Sequence, residues 1–80
     1  MINIEDLKAL PTPQRIGRRI VAIRVLRKMT QKDLAKECGI SSNTLYAIEN
    51  GVRDAQLSTI MKIEEVLGAS LILVPNEDLI

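Results

Sequence analysis

Gly39 separates two short stretches that each carry their own helix-start signal, and no other feature of the 80-residue chain restricts its folding as much. Upstream, Thr30 stands before Gln31-Lys32-Asp33-Leu34-Ala35-Lys36-Glu37-Cys38. A Thr hydroxyl there accepts a hydrogen bond from an otherwise unpaired backbone N–H, and Asp33, three residues on, takes the acidic position of a capping box. Downstream, Ser41 caps a second helix in which Leu45 and Ile48 share a face at i, i+3, and Gly51 ends it one residue after Asn50. Gly39 supplies the left-handed backbone that stops the first helix and redirects the chain, a conformation that only a residue without a Cβ adopts freely. Leu34 is the inward anchor of the first helix, and Ala35 is small where the two helices must cross closely.

Two short helices joined by so tight a turn read as a helix-turn-helix, whose second helix can lie in the major groove of B-DNA. The run from Thr30 to Gly51 resembles the helix-turn-helix of the phage Cro and repressor class, the XRE family, with its pattern Thr-Gln-x-x-Leu-Ala-x-x-x-Gly-Ile-Ser-x-x-Thr-Ile-x-x-Ile-Glu-x-Gly. Leu45 replaces the usual isoleucine or valine at similar volume, and Cys38 sits where a small apolar residue is common. The likeness extends more loosely from Pro13 to Leu67. It implies an all-α, lambda-repressor-like DNA-binding domain of four to five helices. Thr12-Pro13-Gln14 opening the first helix, with a short apolar stretch after Leu67, is most similar to antitoxin-type repressors of the HipB kind.

The flanking sequence supplies the scaffold. Thr12 as N-cap and Pro13 at the first helical position start a helix whose Ile16, Ile20 and Ile23 form one stripe up to about Lys28. After a loop from Val52 to Gln56, Leu57, Ile60, Ile63 and Leu67 form another, opened by Gln56 or Ser58 and closed by Gly68. Residues 1–10 read as an amphipathic lead-in with Ile4, Leu7 and Leu10 at helical spacing. The whole chain, 1–80, is expected to be a single domain with its helix-turn-helix at 31–50. The core is aliphatic, for 46% of residues are hydrophobic while Tyr46 is the only aromatic. At this length assembly often adds stability.

Net charge is +1, but the charges are not spread evenly. Arg15, Arg18, Arg19, Arg24, Arg27, Lys28, Lys32 and Lys36 face only Asp33 within their span, whereas beyond Lys36 seven acids outnumber Arg53 and Lys62. Such a distribution suits a surface that meets phosphates on one side, although a solvated arginine face would look the same.

For DNA contact, taking Leu45 and Ile48 as inward places Asn43, Tyr46, Ala47 and Asn50 on the outer half of the second helix, with Ser42 at its exposed first turn. Asn43 can present its amide bidentately to adenine, and Ser42 can donate or accept. Tyr46 can offer its hydroxyl or a ring edge to a thymine methyl, and Ala47 apolar contact only. The resemblance implies phosphate contacts at Gln31, Asn50 and Arg53, and Lys32, Arg18 and Ser41 are further candidates. Arg24 and Glu49 each fall one turn beyond a core residue. The resemblance implies that they pair between the first and third helices; two independent exposed charges are the alternative.

Catalysis has no footing: there is no His, no glycine-rich phosphate loop, and no acid pair with a partner base. Cys38 reads as a small core residue, no cofactor is implied, and metal ligation fails for want of His and Cys. One cysteine allows no internal disulfide, no signal peptide precedes the motif, and no apolar run approaches a bilayer span of about 20 residues, so a cytoplasmic protein is expected. Finally, Leu71-Ile72-Leu73-Val74 before Pro75 reads as a short strand, about 70–74, with both faces apolar. Its free edge invites pairing with its twin in a homodimer, or with residues 2–4 of the same chain.

The sum is a dimeric, sequence-specific regulator of double-stranded DNA, a repressor on a near-palindromic operator with half-sites about 34 Å apart. An antitoxin holding a cognate toxin protein and a protein-binding adaptor are the two alternatives.

Overall fold

The computed structural model describes residues 12–72, which form four helices: α1 (Pro13–Leu26), α2 (Gln31–Cys38), α3 (Ser42–Glu49) and α4 (Leu57–Leu67). No strand occurs among the described residues, so this part of the chain is all-α. The lead-in over residues 1–10 lies outside them.

Local chemistry sets the starts. The Thr12 hydroxyl accepts from the Arg15 amide at 3.2 Å, with Pro13 in the first turn where its missing N–H costs nothing. The capping box of α2 is complete: Asp33 N–H donates to Thr30 Oγ1 at 3.0 Å and Thr30 N–H donates to Asp33 Oδ2 at 3.2 Å. Ser41 Oγ accepts from the Thr44 amide at 3.0 Å and donates to Thr44 Oγ1 at 2.8 Å. Only α4 starts without a side-chain cap, because neither Gln56 nor Ser58 supplies the expected hydrogen bond.

All four helices stop in the same way. Met29, Ile40, Val52 and Ala69 each donate a backbone N–H to the carbonyl five residues back, on Arg24, Ala35, Ala47 and Glu64, at 3.0–3.2 Å. The residue before each donor is left-handed: Gly39, Gly51, Gly68 and, with φ 58°, Lys28. That turn at Lys28 ends α1 at Leu26, two residues short of the expected stop.

Ile20, Leu34, Ala35, Cys38, Leu45, Ile48, Ile60, Ile63, Leu67 and Leu71 make one core, with Ile16, Ile23 and Met29 packed at its edge. Leu57 is not part of it. It lies a quarter-turn from the inward stripe and is 63% exposed. α1 and α3 approach closely at Gly17, where a Cβ would stand 2.6 Å from the Ile48 carbonyl oxygen and closer still to that of Glu49. α1 thus meets the C-terminal turn of α3 backbone to backbone.

The segment after α4 does not form the described part of the expected strand. Leu71 is only 1% exposed, filling the chain's own core, and its N–H donates to Glu64 Oε2 at 2.8 Å. α1 holds the same segment down, through Arg27 Nε to the Leu67 carbonyl at 2.7 Å and Arg19 Nη2 to the Ser70 carbonyl at 3.3 Å. The Leu71 amide and side chain are thus both engaged within the chain. Leu73 and Val74 lie outside the described residues.

Candidate nucleic-acid interface

The buried side of α3 fixes what its outer side presents. Leu45 and Ile48 face the core, so Ser42, Asn43 and Tyr46 are exposed and Ala47 is half-buried at the flank. No side-chain hydrogen bond of Ser42, Asn43 or Tyr46 exists among the described residues. Their polar atoms are therefore available to base edges along a helix whose N-terminal turn carries a partial positive charge. Asn50 behaves differently: its Nδ2 donates to the Tyr46 carbonyl at 2.8 Å, closing the end of its own helix. Ser41 likewise spends its hydroxyl on Thr44.

Behind this face is a buried polar cluster. Glu49, 7% exposed, accepts from Arg24 Nε at 2.8 Å, from Arg24 Nη2 at 3.2 Å and from Gln31 Nε2 at 2.9 Å. Arg24 Nη1 also donates to the Met29 carbonyl at 3.1 Å. The fork-to-fork geometry between guanidinium and carboxylate is the strong form of such a pair, and it joins α1 to the last residue of α3. Gln31 adds the first residue of α2. The sequence suggested Gln31 only as a phosphate ligand. One of its two amide hydrogens is spent inward, and the other is left for an outside acceptor.

The cations divide into two groups. Arg19, Arg24 and Arg27 turn toward carbonyls and carboxylate of the fold, so the basic span of α1 is in part structural and not wholly a phosphate surface. Arg18, Lys32 and Arg53 are exposed, as are Lys28 and Lys36. Asp33 is held below the usual carboxylate range by its side-chain hydrogen bond with Thr30, then by the Thr30 backbone N–H. Burial pushes the Cys38 thiol up, which suits a packed residue and not a nucleophile. No helix of the described residues is long and apolar enough to cross a membrane.

A family model described as "Helix-turn-helix" matches residues 20–74. An uncharacterized HTH-type transcriptional regulator from Methanocaldococcus jannaschii is 42% identical over 48 residues, which are 60% of this chain and 73% of that protein. Among solved structures, the hypothetical transcription factor NHTF from Neisseria superposes with a TM-score of 0.76 at 28% identity, over 88% of each chain. The master regulator for biofilm formation SinR, in complex with DNA, gives a TM-score of 0.66 at 26% identity, over 70% of this chain and 90% of that one. A chain of the HipA-HipB-O2-O3 complex gives 0.67 at 30% identity, over 80% and 90%. With the motif, its caps and its buried Arg24–Glu49 pair in place, the chain belongs to the helix-turn-helix family of the XRE type, as a DNA-binding transcriptional regulator.

Proposed function

We propose that this regulator is a dimeric repressor of the cytoplasm, without catalytic activity, that reads a near-palindromic operator with α3. The observation that carries this reading is the outer face of α3, where Ser42, Asn43 and Tyr46 stand exposed with no partner in the described fold. Asn43 and Tyr46 carry most of the discrimination, Ser42 and Ala47 refine it, and Arg18, Lys32, Arg53 and the free amide hydrogen of Gln31 hold the phosphates. Ser41 and Asn50 contribute through backbone position more than through side chains, since both side chains are already bonded. The solved SinR chain, similar over its fold, is in complex with DNA.

Selection of bound duplexes from random DNA is the experiment, followed by the same selection with two variants. Asn43→Ala is expected to relax preference at particular base pairs, losing about 1–3 kcal/mol of discrimination at each. Gln31→Ala is expected to weaken all duplexes alike. Equal loss on all duplexes for Asn43→Ala removes it from the reading set, and selection that yields no enriched site overturns sequence-specific binding.

A second reading, the antitoxin, is favoured by the 30% identity to a chain of the HipA-HipB-O2-O3 complex. Co-expression with the product of the adjacent gene tests it: a stable complex of the two proteins supports it, and independent purification counts against it.

A further inference from the structure

The loop between α3 and α4 runs over a small cavity that serves neither the core nor the groove-facing side of α3. Gly51, at φ 70°, brings that loop against the start of α1: a Cβ there would stand 2.9 Å from Gln14 Cα. Beside this contact Pro13, Ile16, Ile48, Ala55 and Ile60 line a space of about 180 Å³. Ala55 is the loop residue packed against the core, and its methyl leaves the gap unfilled.

Size limits what the cavity takes. A cavity of roughly 150 Å³ accepts a benzene-sized molecule, whereas sites for drug-sized ligands and cofactors run from about 300 Å³ upward. Room for about six non-hydrogen atoms follows, enough for a branched alkyl group and the carbon that bears it. The walls just named are aliphatic, which suits such a group. Arg53 and Asp54 line the same cavity and are exposed, so they stand at its mouth. Neither has a hydrogen bond or an ion pair among the described residues. Two adjacent, unpaired charges of opposite sign over an aliphatic hollow match a molecule with an anion, a cation and an alkyl branch on one carbon.

We propose that this cavity binds a small aliphatic amino acid, with its carboxylate on Arg53, its ammonium on Asp54 and its side chain between Ile16, Ile48 and Ile60. The site stands apart from the operator reading, but its effect on DNA rests on that reading, in which Arg53 holds a phosphate. A guanidinium engaged at the cavity mouth is not on the duplex. Amino acid and DNA therefore compete for Arg53, and each weakens binding of the other by the same factor. The contacts are few and partly in water, so the amino acid binds at about millimolar concentration.

Methyl and amide NMR of the full chain without DNA tests the site, with L-leucine as the probe. Saturable shifts with a midpoint of about 1 mM are expected at the Ile16, Ile48 and Ile60 methyls and at the Arg53 and Asp54 amides. Isocaproate, which lacks the ammonium, and isoamylamine, which lacks the carboxylate, are each expected to bind about tenfold more weakly. Asp54→Asn is expected to keep the fold and DNA binding and to lose the preference for leucine over isocaproate. Absence of saturable shifts at those methyls overturns the site, as does equal binding of all three compounds. In duplex titrations leucine is expected to lower the affinity of the wild-type chain several-fold and to leave that of Arg53→Ala unchanged; a wild-type affinity that saturating leucine does not alter overturns the competition. Saturable shifts in a chain that binds no selected duplex would uphold the site while overturning the operator reading.

Discussion

Taking Glu49 out of water costs solvation that Arg24 and Gln31 offset with three charge-assisted donors. That balance depends on every partner being present. Glu49→Ala leaves a largely buried guanidinium, with 15% of its side chain exposed, and an amide without an acceptor, so a loss of about 3–5 kcal/mol is expected in chemical denaturation. Replacing both charges by apolar residues of similar size, as in Arg24→Met with Glu49→Leu, is expected to cost distinctly less. A double variant as unstable as the sum of the singles would mean that the two residues act independently, with no coupling between them. Spacing set both residues beside the core, each one turn past a core position, and the family resemblance supplied their pairing. Gln31's inward bond was legible from neither, because a side chain 18 residues away decides it. Gly17 left no mark in the sequence either: its role depends on where α3 passes, which no local pattern records.

At the scale of elements, starts and stops were the most readable part, because a cap or a left-handed glycine acts within four residues. Periodicity also placed the inward residues of α3 correctly. It overreached at Leu57, where the first turn of α4 stands away from the core, and it did not foresee that Leu71, at the head of the apolar run, supplies a core side chain. The stop at Lys28 carries a testable cost. A lysine at φ 58° bears Cβ strain that its three glycine counterparts avoid, so Lys28→Gly is expected to raise stability by about 0.5–1 kcal/mol in thermal melts. Destabilisation would show that the lysine side chain contributes more than its backbone loses. The capping box gives a pH effect whose sign is fixed. Asp33 is depressed in the folded chain, so the stability it adds is present above the pKa of the unfolded carboxylate, near 4, and is lost as pH falls through the lower folded value. Asp33→Asn should flatten that limb of the acid-unfolding profile, and an unchanged profile would remove the cap from the account.

Over the whole molecule, Arg19, Arg24 and Arg27, on α1 and at its C-cap, serve the fold, so fewer bases are left to face phosphates than composition suggests. With Arg18, Lys32 and Arg53 as the contacting cations of each copy, a dimer neutralises about six phosphates, and log Kobs against log salt should have a slope near −5. Arg53→Ala is expected to lower its magnitude by about 2 per dimer, and Gln31→Ala to weaken binding with the slope intact, because a neutral amide displaces no counterion. A slope near zero would exclude phosphate contact by these residues. What sequence could not divide was this pool of bases, since whether an arginine meets a carbonyl or a phosphate is settled by the path of α4 and the segment after it.

The contact at Gly17 has one more consequence. Because α1 touches the end of α3 through main-chain atoms, the helix is seated by parts of the chain that no substitution on its far side can alter. Under the reading proposed above, stability is written on one side of eight residues and vocabulary on the other. Exchanging residues 42, 43, 46 and 47 as a set is then expected to give proteins of one tertiary structure with many dialects: similar melting behaviour, each with a different preferred site.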